Sequence, residues 1–260
     1  MVFSLPDGLP SGRFERWGSV EVWVSGELPD DVDELWVRLL GRAGVTGLYP
    51  HLCRPGSPVR PVDPGAADAV DLEGVLAADF AEYRRRRLPF WSAPASVEVP
   101  EDVEPWPHDP GPPFTRWPGL APAVPDSGAG PTPEEAAART VADLLCAEPY
   151  AASLALALVP ARRSADVPAV AGWSRGGPLP LLGALLRSWE ERFGARVVAA
   201  YGGELHVSVA RPPLDPAHAE LLALEHVLTT ADNIVDDPPT PFLEYARELV
   251  GRTDWRFWWD

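Results

Sequence analysis

The chain has 260 residues, 46% of them hydrophobic, enough to bury a sizeable core as one large domain or two small ones. Its formal net charge of -16 sets up a field that repels phosphate backbones and anionic headgroups, so nucleic acid and membrane surfaces are excluded as expected partners; a basic protein surface would be attracted, although such a charge is ordinarily explained by colloidal stability alone. Cys53 and Cys146 are the only cysteines, too few for a zinc knuckle or a disulfide framework, and no apolar run approaches the roughly 20 residues that span a bilayer; reduced thiols and a cytoplasmic location are expected.

Val20 to Ser25 alternates around Trp23 and reads as a strand. Pro29-Asp30-Asp31 then places negative charge at the start of a helix reaching about Leu40, with Val32, Trp36 and Leu39 on its buried face. A second strand is expected near Thr46 to Leu52, and a helix from about Asp71 to Arg87 with Leu72, Leu76 and Tyr83 as its apolar stripe. Arg84 to Arg87 fall in the last turn of that helix, where cations complement the macrodipole, and are read as a helix end rather than an anion site. Residues 1–92 therefore read as a small N-terminal α/β region.

Between Pro89 and Pro133 prolines recur so often that missing amide donors and fixed φ angles leave little room for regular structure, and 93–131 reads as a connector. Trp106, Phe114 and Trp117 lie within it, and large rings in a connector predict that it packs on the body.

Thr132-Pro133-Glu134-Glu135 has capping-box spacing and opens a helix to about Cys146. Ser153 to Val159 suits a buried strand. Leu181, Leu182, Leu185, Leu186, Trp189 and Phe193 share one helical face, Arg187, Glu190 and Glu191 take the other, and Gly194 stops the helix. Two strands, Arg196 to Tyr201 and Glu204 to Ala210, flank a two-residue Gly202-Gly203 turn. Asp215-Pro216 starts a helix to about Thr229 with Ala217, Leu221, Leu224 and Val227 or Leu228 inward, and Thr240-Pro241 starts a shorter one. Trp255 to Trp259 carries aromatics on both faces and reads as a strand covered on both sides. Residues 132–260 thus follow the order βαββααβ after their first helix, and the expected fold is α/β (α+β): a ferredoxin-like C-terminal sandwich beside the small N-terminal α/β region.

The stretches Leu185 to Arg196, Ser208 to Pro213, Glu225-His226, Asp232-Asn233-Ile234 and Phe257-Trp258-Trp259-Asp260 resemble domain-of-unknown-function family 4253. The likeness is densest over about the last 85 residues; Trp23-Val24-Ser25, Thr46 to Pro50 and Gly172-Trp173-Ser174 are weaker echoes. What the resemblance implies is a shared fold, with no reaction, cofactor or catalytic residue attached.

Gly172-Trp173-Ser174-Arg175-Gly176 fits the G-x-S-x-G nucleophile elbow, with Asp215 and either His218 or His226 as the acid and base that could follow. Pro178 and Pro180 interrupt the strand-to-helix turn that an elbow needs, and no upstream segment supplies an oxyanion hole. His218 and Glu225 lie two turns apart on one helix, roughly 10 Å, so they do not chelate one ion, and His226 points nearly opposite the apolar stripe. Glu225, His226, Asp232, Asn233, Trp173 and Arg175 are the candidate binding residues. Without a phosphate loop, dinucleotide fingerprint or metal-ligand spacing, the expectation is no cofactor, no metal and a non-catalytic protein-interaction module such as a cytosolic regulator or toxin-neutralising protein; the alternative is a serine hydrolase using Ser174.

Overall fold

A computed structural model describes residues 5–56, 60–92, 108–147, 153–173, 177–229 and 240–259. In chain order its strands are β1 (Gly12–Trp17), β2 (Val20–Ser25), β3 (Leu48–Cys53), β4 (Ala155–Pro160), β5 (Ala195–Tyr201), β6 (Glu204–Val209) and β7 (Asp254–Trp258). The helices are α1 (Val32–Thr46), α2 (Leu72–Trp91), α3 (Pro133–Ala147), α4 (Val167–Val170), α5 (Leu179–Phe193), α6 (Pro216–Thr229) and α7 (Phe242–Leu249), with 3-10 turns at Pro64–Ala69 and Ser164–Asp166. The strands form one sheet in the order β1-β2-β4-β3-β5-β6-β7, antiparallel at every joint except the parallel one between β3 and β5. This is a mixed α/β fold.

It is not a simple ferredoxin-like sandwich. That arrangement would return the last strand beside the first, whereas β7 lies outside β6, and β3 separates β4 from β5. The reason is that Leu52 of β3 sits opposite Ala199 of β5, so the slot beside β5 is filled by a strand from the other side of the connector. The junctions drawn at 92 and 131 thus divide the chain without dividing the sheet.

Local chemistry accounts for most elements. The capping box closes on itself: Thr132 N–H donates to Glu135 Oε2 at 2.9 Å and Glu135 N–H to Thr132 Oγ1 at 3.2 Å. Gly194, at φ 62°, ends α5 as expected. Helix α1 runs six residues past Leu40, because neither Gly41 nor Gly44 adopts a positive φ, and stops only at Gly47, φ 68°, whose N–H returns to the Ala43 carbonyl. Helix α2 passes through Pro89 to Trp91; the missing Pro89 N–H forfeits one backbone bond, but the ladder resumes with Ser92 N–H donating to the Leu88 carbonyl at 3.0 Å, and Trp91 meets Tyr83 edge-on at 5.4 Å. Strand β1 went unpredicted because Arg13, Glu15 and Arg16 mask its alternation; its pairing with β2 along its whole length defines it.

On one face α1 and α3 pack Trp36, Leu39, Val141 and Leu144 over Trp23, Leu52, Leu156, Leu158 and Val198. On the other, α4 covers Val24, Ala157 and Val159, while α5, α6 and α7 cover Val197, Leu205, Val207, Trp255 and Phe257. A bulge between Val197 and Ala199 shifts the alternation of β5, so that Val198 and Ala199 in succession join the layer under α1 and α3. Strand β7 departs from expectation: Trp255 and Phe257 are buried, but Asp254, Arg256 and Trp258 on its opposite face are exposed, because α3 stops short of this edge strand. Helix α6 departs the other way. Ala217 is exposed and Leu221 half-buried, while Leu222 to Val227 are buried in succession, since α2, α5, α7 and the connector enclose its second half.

The docking of the tail predicts that Phe257→Ala, which empties a fully buried site, lowers unfolding free energy by about 3–5 kcal/mol in urea titrations. Trp258→Ala, on the exposed face, should cost under about 1 kcal/mol.

Candidate functional site

Residues 189 and 192 are three apart on α5 and share a face, from which both side chains reach Glu225 of α6. Glu225 Oε1 accepts from the Ala121 N–H at 2.7 Å and Arg192 Nη1 at 2.8 Å; Oε2 accepts from Trp189 Nε1 at 2.9 Å and Arg192 Nη2 at 2.6 Å. Arg192 also donates to the Ala121 carbonyl at 2.6 Å and to Ser188 Oγ at 3.0 Å. The carboxylate has no solvent exposure and four donors, as a buried charge requires. Chemically it is a clamp: it ties the connector at Ala121 to α5 and α6.

His226, next along α6, is fully buried between the rings of Trp189 and Trp255, each 4.7 Å away, and Phe257 at 5.0 Å. Its Nδ1 lies 2.8 Å from the Tyr245 hydroxyl of α7. Burial drives the imidazole well below its ordinary pKa, with Arg192 and Arg252 adding to the effect, and burial pushes the Tyr245 phenol up. Both are neutral at pH 7; His226 is closed to solvent and Tyr245 half-buried. His226, expected nearly opposite the apolar stripe, is buried because the helix is covered on that side as well.

His218 and Asp215 sit at the start of α6. Asp215 Oδ1 caps the helix by accepting from the His218 N–H at 2.9 Å, and His218 Nε2 lies 2.8 Å from the Pro122 carbonyl. The ring leans on Phe193, 5.7 Å away, beside the start of β5. Trp173 is anchored at the other end of that strand: its Nε1 donates to the Gly202 carbonyl at 3.1 Å and its ring meets Trp259 at 5.2 Å. Seven residues of β5 put roughly 20 Å between these anchors. Gly172 has a structural reason to be glycine, since at φ 64° a Cβ there would stand 2.3 Å from the Arg60 amide nitrogen. Ser174, Arg175, Asp232 and Asn233 lie outside the described residues.

The aromatic and charged side chains packed around Glu225 come from the stretches that carry the family likeness. Residues 155–260 match DUF4253, a domain of unknown function. No curated protein and no solved structure matched the chain. The DUF4253 segment begins at β4 and includes Trp189, Arg192, Glu225, His226 and Trp255, so the clamp and the aromatic cage lie within it except for Ala121.

Three further groupings were not foreseen. Arg187, expected on the solvent side of α5, is mostly buried because the two 3-10 turns cover it: it pairs with buried Asp166 at 2.7 Å, bonds the Pro64 carbonyl at 2.8 Å and pairs with Asp68. His206 Nε2 lies 3.0 Å from Glu204 Oε2 and 3.2 Å from the Tyr201 hydroxyl, with Arg256 on Glu204 at 2.8 Å; burial lowers the histidine pKa and Glu204 opposes the shift. The i, i+2 spacing of Glu204 and His206 on a strand was the available signal. Finally, a cleft of about 920 Å³ opens beside the end of α1, the Pro64 turn and the end of β4, and no sequence-nominated residue lines it. Only tertiary proximity assembles it.

Two outcomes follow from these burials. Glu225→Gln would leave the Arg192 charge short of its partner and should cost about 3–5 kcal/mol in denaturant unfolding, with faster amide exchange at Ala121. His51 is fully buried, and desolvation brings its pKa down to about 4. The unfolded chain binds that proton near 6.5 and the folded one only near 4, so stability present above pH 6.5 falls as pH drops towards 4, by about 3 kcal/mol. A pH series of urea midpoints should show this limb, and His51→Gln should flatten it.

Proposed function

We propose that the chain is a non-catalytic protein-interaction module working in the cytoplasm, as a regulator or toxin-neutralising protein whose partner presents a basic surface. One observation carries the reading: the ionisable pair Glu225 and His226 within the DUF4253 segment has no solvent exposure, with Glu225 bonded to Arg192, Trp189 and Ala121 and His226 Nδ1 to Tyr245. A general base must reach the proton it abstracts, and neither group can be reached. Asp215 and His218 are held in a helix cap and against Pro122. The net charge of -16 supports a basic partner, since it speeds encounter with such a surface and disfavours anionic ones.

The full chain treated with a fluorophosphonate probe should keep its intact mass; an adduct on Ser174, lost in Ser174→Ala, would replace this reading with the serine hydrolase. Partner retention on the immobilised chain should weaken between 0.1 and 1 M salt, where the screening length falls from about 10 Å to about 3 Å.

A further inference from the structure

The cleft beside α1 combines a wide opening, an apolar lining and an uneven charge count. Its volume of about 920 Å³ is at the upper end for drug-sized ligands, room for several side chains. Val45, in the last turn of α1, is 94% exposed on its rim, and Leu5, Pro160 and buried Val170 continue the apolar surface inward. Among its charged groups Asp166 is taken by Arg187 at 2.7 Å, and Arg162 faces Asp68 and Asp166 at 3.5 and 3.6 Å. That leaves Asp7, Arg42 and Asp63, the last with Oδ1 accepting from the Gly65 N–H at 2.9 Å as the cap of the Pro64 turn; none is in an ion pair among the described residues, so acids outnumber the remaining cation in a chain of charge -16.

From this we infer that the cleft is the seat of the interaction, and that its occupant is an extended segment of a partner protein in which an arginine or lysine is flanked by apolar side chains. The inference rests on the interaction-module reading. The apolar residues cover Val45, Leu5 and Val170; the cation lies between Asp7 and Asp63; the Arg42 guanidinium, a donor only, meets backbone carbonyls of the segment. A phosphate-bearing or acidic segment would meet the two carboxylates and is rejected.

The test uses the full chain and three labelled peptides read by fluorescence anisotropy: alternating leucine and arginine, leucine and glutamate, and serine and arginine. The first should bind, and Val45→Ser and Asp7→Asn, both at exposed positions, should each weaken it about three- to tenfold with melting unchanged. Equal binding of the glutamate or the serine peptide, or no effect of either substitution, overturns the inference. A second measurement separates it from the broader reading. With a benzophenone amino acid at Val45 or at exposed Leu214, outside the cleft, irradiation in the native cell should give an adduct from position 45 alone, mapping to a basic and apolar segment. Adducts from 214, alone or equally, sink the cleft and leave the module standing; adducts from neither position sink both.

Discussion

The carboxylate of Glu225 meets a guanidinium, an indole N–H and a backbone amide with no access to water, and much of the C-terminal half is arranged to satisfy that one group. A buried charge is tolerated only when its lone pairs are filled, so α5, α6 and the connector at Ala121 must all be in place together. Val124 N–H adds a bond to the Arg192 carbonyl at 3.0 Å, and Phe114 and Trp117 pack on the same core. A proline-rich segment that cannot pair in a helix or sheet is thereby given specific backbone partners.

The second organising constraint is the joint between β3 and β5. It is the one parallel pairing in the sheet and is registered at a single residue pair, Leu52 with Ala199, beside the β5 bulge. The hairpins β1-β2 and β5-β6 are local, whereas β2-β4, β3-β4 and this joint each pair strands from opposite sides of the connector. The side chains that secure it, Leu52, Val198 and Tyr201, belong to the layer under α1 and α3, so packing rather than backbone pairing holds the two halves of the sheet in line.

Much of the polarity nominated by the sequence is spent on architecture. Glu225, His226, Asp215 and His218 have gone into the architecture, and Arg187 with Asp166 has done the same at the 3-10 turns. The cleft beside α1 keeps charged groups open to solvent, and it draws on residues from Leu5 to Val170. The family likeness covers residues 155–260, so the cleft is built across its border.

Wherever the governing physics is local, the residues announce the structure. The Thr132 capping box, the stripe from Leu182 to Phe193, the Gly202-Gly203 turn and the proline-capped starts of α6 and α7 are all readable because each depends on neighbours within a few positions. The ends of α1 and α2 were less legible, since Gly41, Gly44 and Pro89 read as breaks that surrounding packing overrides. Strand order, the insertion of β3, the burial of His226 and the convergence of Ala121, Arg192 and Glu225 have no local signature: they bring together residues as distant in the chain as Leu52 and Ala199, and the desolvation that selects them exists only once the layers have closed. The sequence by itself therefore determined the elements and their amphipathic faces, while tertiary structure alone decided which polar groups became framework and which were left at the surface.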